Sequence, residues 1–172
     1  MRLPFGRSSR KGGSRAAAPA SRCEREGANM PAIEETLANV ELFSDLEPED
    51  LSRLAKVTIV RDYKQGDVIV RENEAGVAFY VVAKGSVEVV KGLGTSGEQV
   101  LARLGPGSFF GEMALFDNQV RSSSVRAAED CQCLVMAKWD FNAELLANGR
   151  IALALLAVLA RRIRQLNEAV TH

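Results

Sequence analysis

Apolar residues along the chain follow three spacings. Near the start, Ile33, Leu37 and Val40 recur at four and three residues, and Leu46-Glu47-Pro48-Glu49-Asp50-Leu51 puts a proline and acids where a helix begins. Two N-terminal helices are expected. Then come short runs rich in β-branched and aliphatic residues: Val57–Val60, Val68–Val70, Phe79–Val82, Ser86–Val90, Val100–Leu104 and Leu134–Met136. Gly66, Gly76, Gly85, Gly97, Gly105 and Gly107 stand between them at the turn spacing of an antiparallel sandwich or barrel. The pattern predicts a mainly β domain with flanking helices, a jelly-roll-like β-roll or double-stranded β-helix.

The third spacing closes the chain. Leu156, Leu159, Ile163, Leu166 and Val170 recur at three, four, three and four residues, a heptad seam bordered by Arg161, Arg162 and Arg164. A helix so apolar along one stripe needs a covering. Two are open: the same helix of a second copy, giving a homodimer through those five residues, or packing against its own roll. The expected organisation is a basic tail over 1–29, a β-roll with N-terminal helices over 30–150, and a C-terminal helix over 151–172.

Composition narrows the function. The tail carries seven Lys/Arg against two Glu, is rich in Arg, Ser, Gly and Ala, and has no hydrophobic periodicity, so it cannot bury a core. It is expected to be disordered. It reads as a stretch upstream of a true start at Met30, a transit segment or an electrostatic tether. Residues 30–172 carry fifteen Lys/Arg against twenty Asp/Glu, a net charge of −5. An acidic module lacks the basic footprint that binds nucleic acid, so no direct DNA binding is expected.

The single histidine is His172, which removes Ser-His and Cys-His nucleophile pairs and any multi-histidine metal site. Neither an enzyme nor a metal or cofactor is expected. No apolar run reaches the length of a membrane span. Cys131 and Cys133, two apart on a strand, share a face and are poorly placed to bond each other. With Cys23 they form no disulfide framework, so a reducing cytoplasm is the expected compartment.

The chemistry concentrates in Phe110-Gly111-Glu112-Met113-Ala114-Leu115, followed nine positions after the glutamate by Arg121-Ser122-Ser123-Ser124-Val125. Residues 112–115 can form one helical turn whose free N–H groups face an anion, and Gly111 lets that backbone come close. Arg121 offers a planar fork for two phosphate oxygens, and Ser122 adds a hydroxyl and an N–H. Glu112 has the wrong sign for phosphate, but a carboxylate accepting from a ribose 2′-hydroxyl would sit beside the phosphate and touch only sugar.

This stretch resembles the phosphate-binding cassette of cyclic nucleotide-binding domains, the β-roll module of catabolite activator proteins and protein kinase A regulatory subunits. The likeness runs from about Leu37 to Val170. Relatives usually read Phe-Gly-Glu-Leu-Ala-Leu and later Arg-Ala-Ala-Thr-Val; this chain departs at Met113, Val120 and Ser123, none expected to carry a ligand contact. The resemblance implies Glu112 on the 2′-hydroxyl, Arg121 and Ser122 on the cyclic phosphate, and backbone of Gly111, Ala114 and Leu115 lining the pocket.

It also implies Leu101 and Ala102 on the strand facing the ligand, with ordinary core as the alternative. The C-terminal helix would close over the base, where Leu166 and Asn167 occupy the matching positions and Asn167 is the candidate for the purine edge. Among relatives, serine after the cassette arginine appears in bacterial adenine-type receptors, so Ser122 favours cAMP over cGMP. With the chain ending at His172, no helix-turn-helix domain is expected. A stand-alone sensor acting on an unknown effector is expected. A ligand-free interaction module and a transcription-factor remnant remain alternatives.

Overall fold

The computed structural model describes residues 30–116 and 119–170. The tail expected over 1–29 lies outside them. Among the described residues, eight strands form two four-stranded antiparallel sheets: β1 (Thr58–Tyr63), β8 (Cys131–Ala137), β3 (Ala78–Lys84) and β6 (Phe109–Phe110) in one, β2 (Val68–Val70), β7 (Ser124–Ala127), β4 (Val87–Lys91) and β5 (Gln99–Leu104) in the other, each in that spatial order. Helices α1 (Met30–Ala38) and α2 (Pro48–Lys56), with a 3-10 turn at Glu41–Phe43 between them, precede the roll. The single turn α3 (Met113–Phe116) interrupts it, and α4 (Lys138–Ala147) and α5 (Gly149–Val170) follow it. This is the expected β-roll with flanking helices.

Strand alternation builds two cores. On β8, Cys131, Cys133 and Val135 face between the sheets, where Val70, Val82, Val87, Phe110, Val125 and Ala127 meet them; Leu134 and Met136 face outward. That outer face is covered by helices: Ile33, Leu37, Leu54, Phe141, Ile151, Leu155 and Val158 pack there against Phe79 and Val81. The β3–β4 turn needs Gly85 (φ 73°), because a side chain there would run into the Asp130 carbonyl.

Two helices depart from the expectation. Helix α4 was not expected: its one fully buried side chain is Phe141 while Trp139 and Leu146 are exposed, so it carries one anchor rather than a stripe. Helix α5 divides its apolar residues between two faces. Ile151, Leu155 and Val158, spaced four and three, are buried on the roll, and Leu159 of the anticipated seam packs with them. Leu156 and Ile163 remain 60% and 59% exposed. The side chains of Leu166 and Val170 lie outside the described residues.

Polar ties fix both helices to the N-terminal segment. Arg53 Nε donates to Glu144 at 3.2 Å and Arg161 Nη1 to Asp45 at 2.8 Å. At the α4–α5 junction, Asn148 Nδ2 (2.6 Å) and Arg150 Nη2 (3.2 Å) both donate to the buried carboxylate of Asp50. Among the described residues, no single helix is long and apolar enough to cross a membrane.

Candidate ligand-binding site

Strand β6 ends at Phe110, and the chain then turns through Gly111 at φ 79°, a left-handed conformation that favours glycine. The turn has a steric reason as well: a Cβ on Gly111 would fall on Arg121 Nη1 and come within 3.1 Å of the Ala78 carbonyl. Met113–Phe116 then form the expected single helical turn, one residue later than the sequence suggested. The side chains of Ala114 and Leu115 lie outside the described residues.

Arg121 is only 8% exposed. Its Nη1 donates to the Gly111 carbonyl at 3.2 Å and its Nη2 to the Ala78 carbonyl at 2.5 Å. The Tyr80 ring lies under the guanidinium, 5.8 Å from Cζ, and Phe110 stacks parallel on Tyr80 with centroids 4.8 Å apart. Tyr80 and Phe110 are direct partners across the β3–β6 pair. The backbone of Arg121 is clamped too: its N–H donates to the Glu74 carbonyl at 2.8 Å, and its carbonyl accepts from Asn73 N–H at 2.9 Å.

Burial pulls the Arg121 pKa below its ordinary value; Tyr80 and the Glu112 charge oppose that pull. Even so, no carboxylate among the described residues forms an ion pair with it. A buried cation satisfied by two carbonyls keeps three further N–H donors and a charge with no ion-pair partner.

Phe110, Gly111 and Arg121 line a cavity of about 230 Å³, with Tyr80 and Ala78 outside its lining. Gly111, Glu112, Arg121 and Ser122 all border it, so four of the expected contacts converge. The apolar wall comes from Val70, Val89, Leu104, Phe109 and Val125, and Ser123 adds a polar group beside Ser122. Such a wall with a few convergent polar groups is the usual build of a small-molecule site. It presents a cation, a carboxylate and hydroxyls to one occupant, which suits an anion carrying a sugar. Among the described residues no cluster of three or more His, Cys, Asp and Glu could hold a metal ion.

Three expected contacts stand elsewhere. Leu101 and Ala102 do not border the cavity; Leu104 does. The reason is tertiary: β5 is an edge strand, exposed through residue 103, and it bulges between the pairs Val89–Ala102 and Val90–Val100, which leaves Leu101 as the extra residue. Asn167 is exposed near the end of α5 and does not border the cavity. Sequence reasoning missed Tyr80, whose place beneath Arg121 depends on the β3–β6 pairing, and it counted Val70 and Val89 only as strand residues.

Fold and cavity together define a β-roll receptor for a small anionic ligand. Residues 60–148 match the cyclic nucleotide-binding domain, and the chain belongs to that family of regulatory modules. It is 38% identical over 124 residues to the cyclic AMP receptor protein of Thermus thermophilus, covering 72% of this chain and 57% of that protein. Over 108 residues it is 37% identical to human cGMP-dependent protein kinase 2, covering 62% of this chain and 14% of the kinase. The N-terminal domain of a transcriptional regulator from Streptomyces coelicolor superposes with a TM-score of 0.71 at 30% identity, covering 78% of this chain and 94% of that one. The chain therefore spans little more than half of the Thermus protein and a small part of the kinase.

Proposed function

We propose that this chain is a sensor for a purine 3′,5′-cyclic monophosphate, with cAMP preferred over cGMP, and that its C-terminal helix relays occupancy to an effector. The carrying observation is Arg121, a buried cation in a cavity wall with carbonyls for company and no paired carboxylate. Burying a charge is costly unless an opposite charge completes it. A cyclic phosphate carries one negative charge and two exocyclic oxygens that match the free guanidinium donors. Ser122 and the backbone of Gly111, Ala114 and Leu115 complete the phosphate end, and Glu112 accepts from the ribose 2′-hydroxyl.

The purine lies against Val89, Leu104 and their neighbours. Relatives of similar identity carry both a cAMP and a cGMP name, so they do not separate the bases. Preference for adenine rests on Ser122. Asn167 is the residue proposed for the base edge, and since it stands away from the cavity, that contact requires the outer half of α5 to move inward. The heptad spacing Leu156, Leu159, Ile163, Leu166 and Val170 is the proposed homodimer seam, and Leu156 and Ile163 in it are exposed. Motion of α5 would then reach the partner copy directly.

Calorimetric titration of the parent and of Arg121→Ala with cAMP and cGMP tests the reading. Hydrogen bonds to a charged group are worth about 1.5–3 kcal/mol, so the variant is expected to bind at least about tenfold more weakly. Glu112→Ala should lose less, and should no longer discriminate against 2′-deoxy-cAMP. Equal affinities for parent and Arg121→Ala would overturn the assignment.

A further inference from the structure

We propose that Lys91, at the end of β4, is a positioning residue for the anion end of the cavity: by holding the Ser122 carbonyl it turns the Ser122–Ser123 peptide so that the Ser123 N–H faces the bound phosphate. The proposal rests on the cavity being a cyclic nucleotide site. Its starting point is a gap in the backbone ladder. Strands β4 and β7 pair in register from Val87–Ala127 to Val90–Ser124, and there β7 ends. One step further Lys91 pairs with Gln99 of β5 on one side, and on the side where β7 has ended its Nζ donates to the Ser122 carbonyl at 2.8 Å.

Lys91 is itself held. Its ammonium pairs with Glu72 Oε1 at 2.5 Å, and the other oxygen of Glu72 accepts from Gly92 N–H at 3.0 Å. Lys91 and Gly92 together hold the Glu72 carboxyl below the usual carboxylate range. Glu72 also donates its own N–H to Ser124 Oγ at 2.9 Å, which joins the relay to the start of β7. A half-exposed lysine normally samples many rotamers; this one has two fixed partners, one of them a residue bordering the cavity.

The chemical consequence follows from the peptide unit. In a trans peptide the C=O and N–H point in opposite directions, so a carbonyl drawn toward Lys91 sends the Ser123 N–H the other way, and Ser123 also borders the cavity. An ammonium on the carbonyl polarises the amide and makes its N–H a stronger donor. The cassette thereby gains a donor beyond Arg121 and Ser122.

The test uses the full chain, with cAMP as probe, on Lys91→Met, Lys91→Arg and Glu72→Gln. Titration calorimetry should show Lys91→Met about fivefold weaker, Lys91→Arg close to the parent, and Glu72→Gln about twofold weaker. Glu72→Gln separates the two ways a lysine can help an anion. If Lys91 acted only as nearby positive charge, removing the Glu72 carboxylate would tighten binding; if Glu72 tethers it, binding loosens. The Ser123 amide resonance should shift on adding cAMP to the parent and shift less in Lys91→Met, with thermal unfolding of both unchanged. Lys91→Met binding like the parent, or Glu72→Gln binding more tightly, overturns the role of Lys91 alone. A parent that binds neither cAMP nor cGMP overturns the reading of the cavity, and the role of Lys91 falls with it.

Discussion

Gly111 and Arg121 fit together only because one of them has no side chain. The guanidinium occupies the volume a Gly111 Cβ would take, and from there it reaches both the Gly111 and Ala78 carbonyls. Gly111→Ala is therefore expected to strain a backbone at φ 79° by about 1–3 kcal/mol and to push the guanidinium off its carbonyls. Chemical denaturation should show the lost stability. Calorimetry should show cAMP affinity falling as far as in Arg121→Ala, and parent-like values in both assays would contradict the packing.

Neighbouring leucines on α5 should behave in opposite ways. Leu155 is 1% exposed on the roll, so Leu155→Ala is expected to destabilise the domain by about 2–5 kcal/mol. Leu156 is 60% exposed and lies on the proposed dimer seam. Leu156→Glu with Ile163→Glu should leave thermal stability nearly unchanged and convert a dimer into a monomer by sedimentation equilibrium. A double variant with the parent's mass would remove the seam.

The two thiols of β8 should resist alkylation. Burial pushes the Cys133 thiol up to about 12 and raises Cys131 as well, so neither supplies thiolate near neutrality. Peptide-resolved mass spectrometry after iodoacetamide at pH 8 should find both unmodified in the folded protein and modified in denaturant. Because the folded value lies above the unfolded one, the linked stability is complete below about 9 and is lost as pH rises toward about 12. A flat unfolding free energy over that interval would contradict the burial.

The tie between Asp45 and Arg161 has the opposite pH sense. The hydrogen bond from Arg161 holds the Asp45 carboxyl below its ordinary value of 3.8, so the tie is complete above that pH and is lost as pH falls through the depressed folded value. Amide exchange in the second half of α5, corrected for intrinsic rates, should be level from pH 8 to 5. Arg161→Gln should speed it at pH 7 without touching the exchange of β8. No change in the variant would show that other contacts hold that half of the helix.

The readable and unreadable parts of this chain differ in the range of the interactions behind them. The roll could be read because Phe79–Val82 and Ser86–Val90 obey local alternation between turns, and the cassette because Gly111, Glu112, Arg121 and Ser122 lie within twelve residues. Helix α4 carries a single buried anchor, Phe141, which gives no periodic signal. Leu101 and Ala102 stand away from the cavity because an edge position and a bulge decide what β5 exposes, and both arise from pairing with β4. Tyr80 lies 41 residues from Arg121 in sequence and Lys91 is 31 from Ser122, so only the folded sheets bring them together.

A crystal structure of the protein soaked with cAMP examines the buried arginine most directly. Ligand is expected in the cavity bordered by Val89 and Leu104, with an exocyclic phosphate oxygen within hydrogen-bonding distance of the Arg121 guanidinium and the 2′-hydroxyl on Glu112. An empty cavity at saturating cAMP, with Arg121 still bound only to the Ala78 and Gly111 carbonyls, would contradict it.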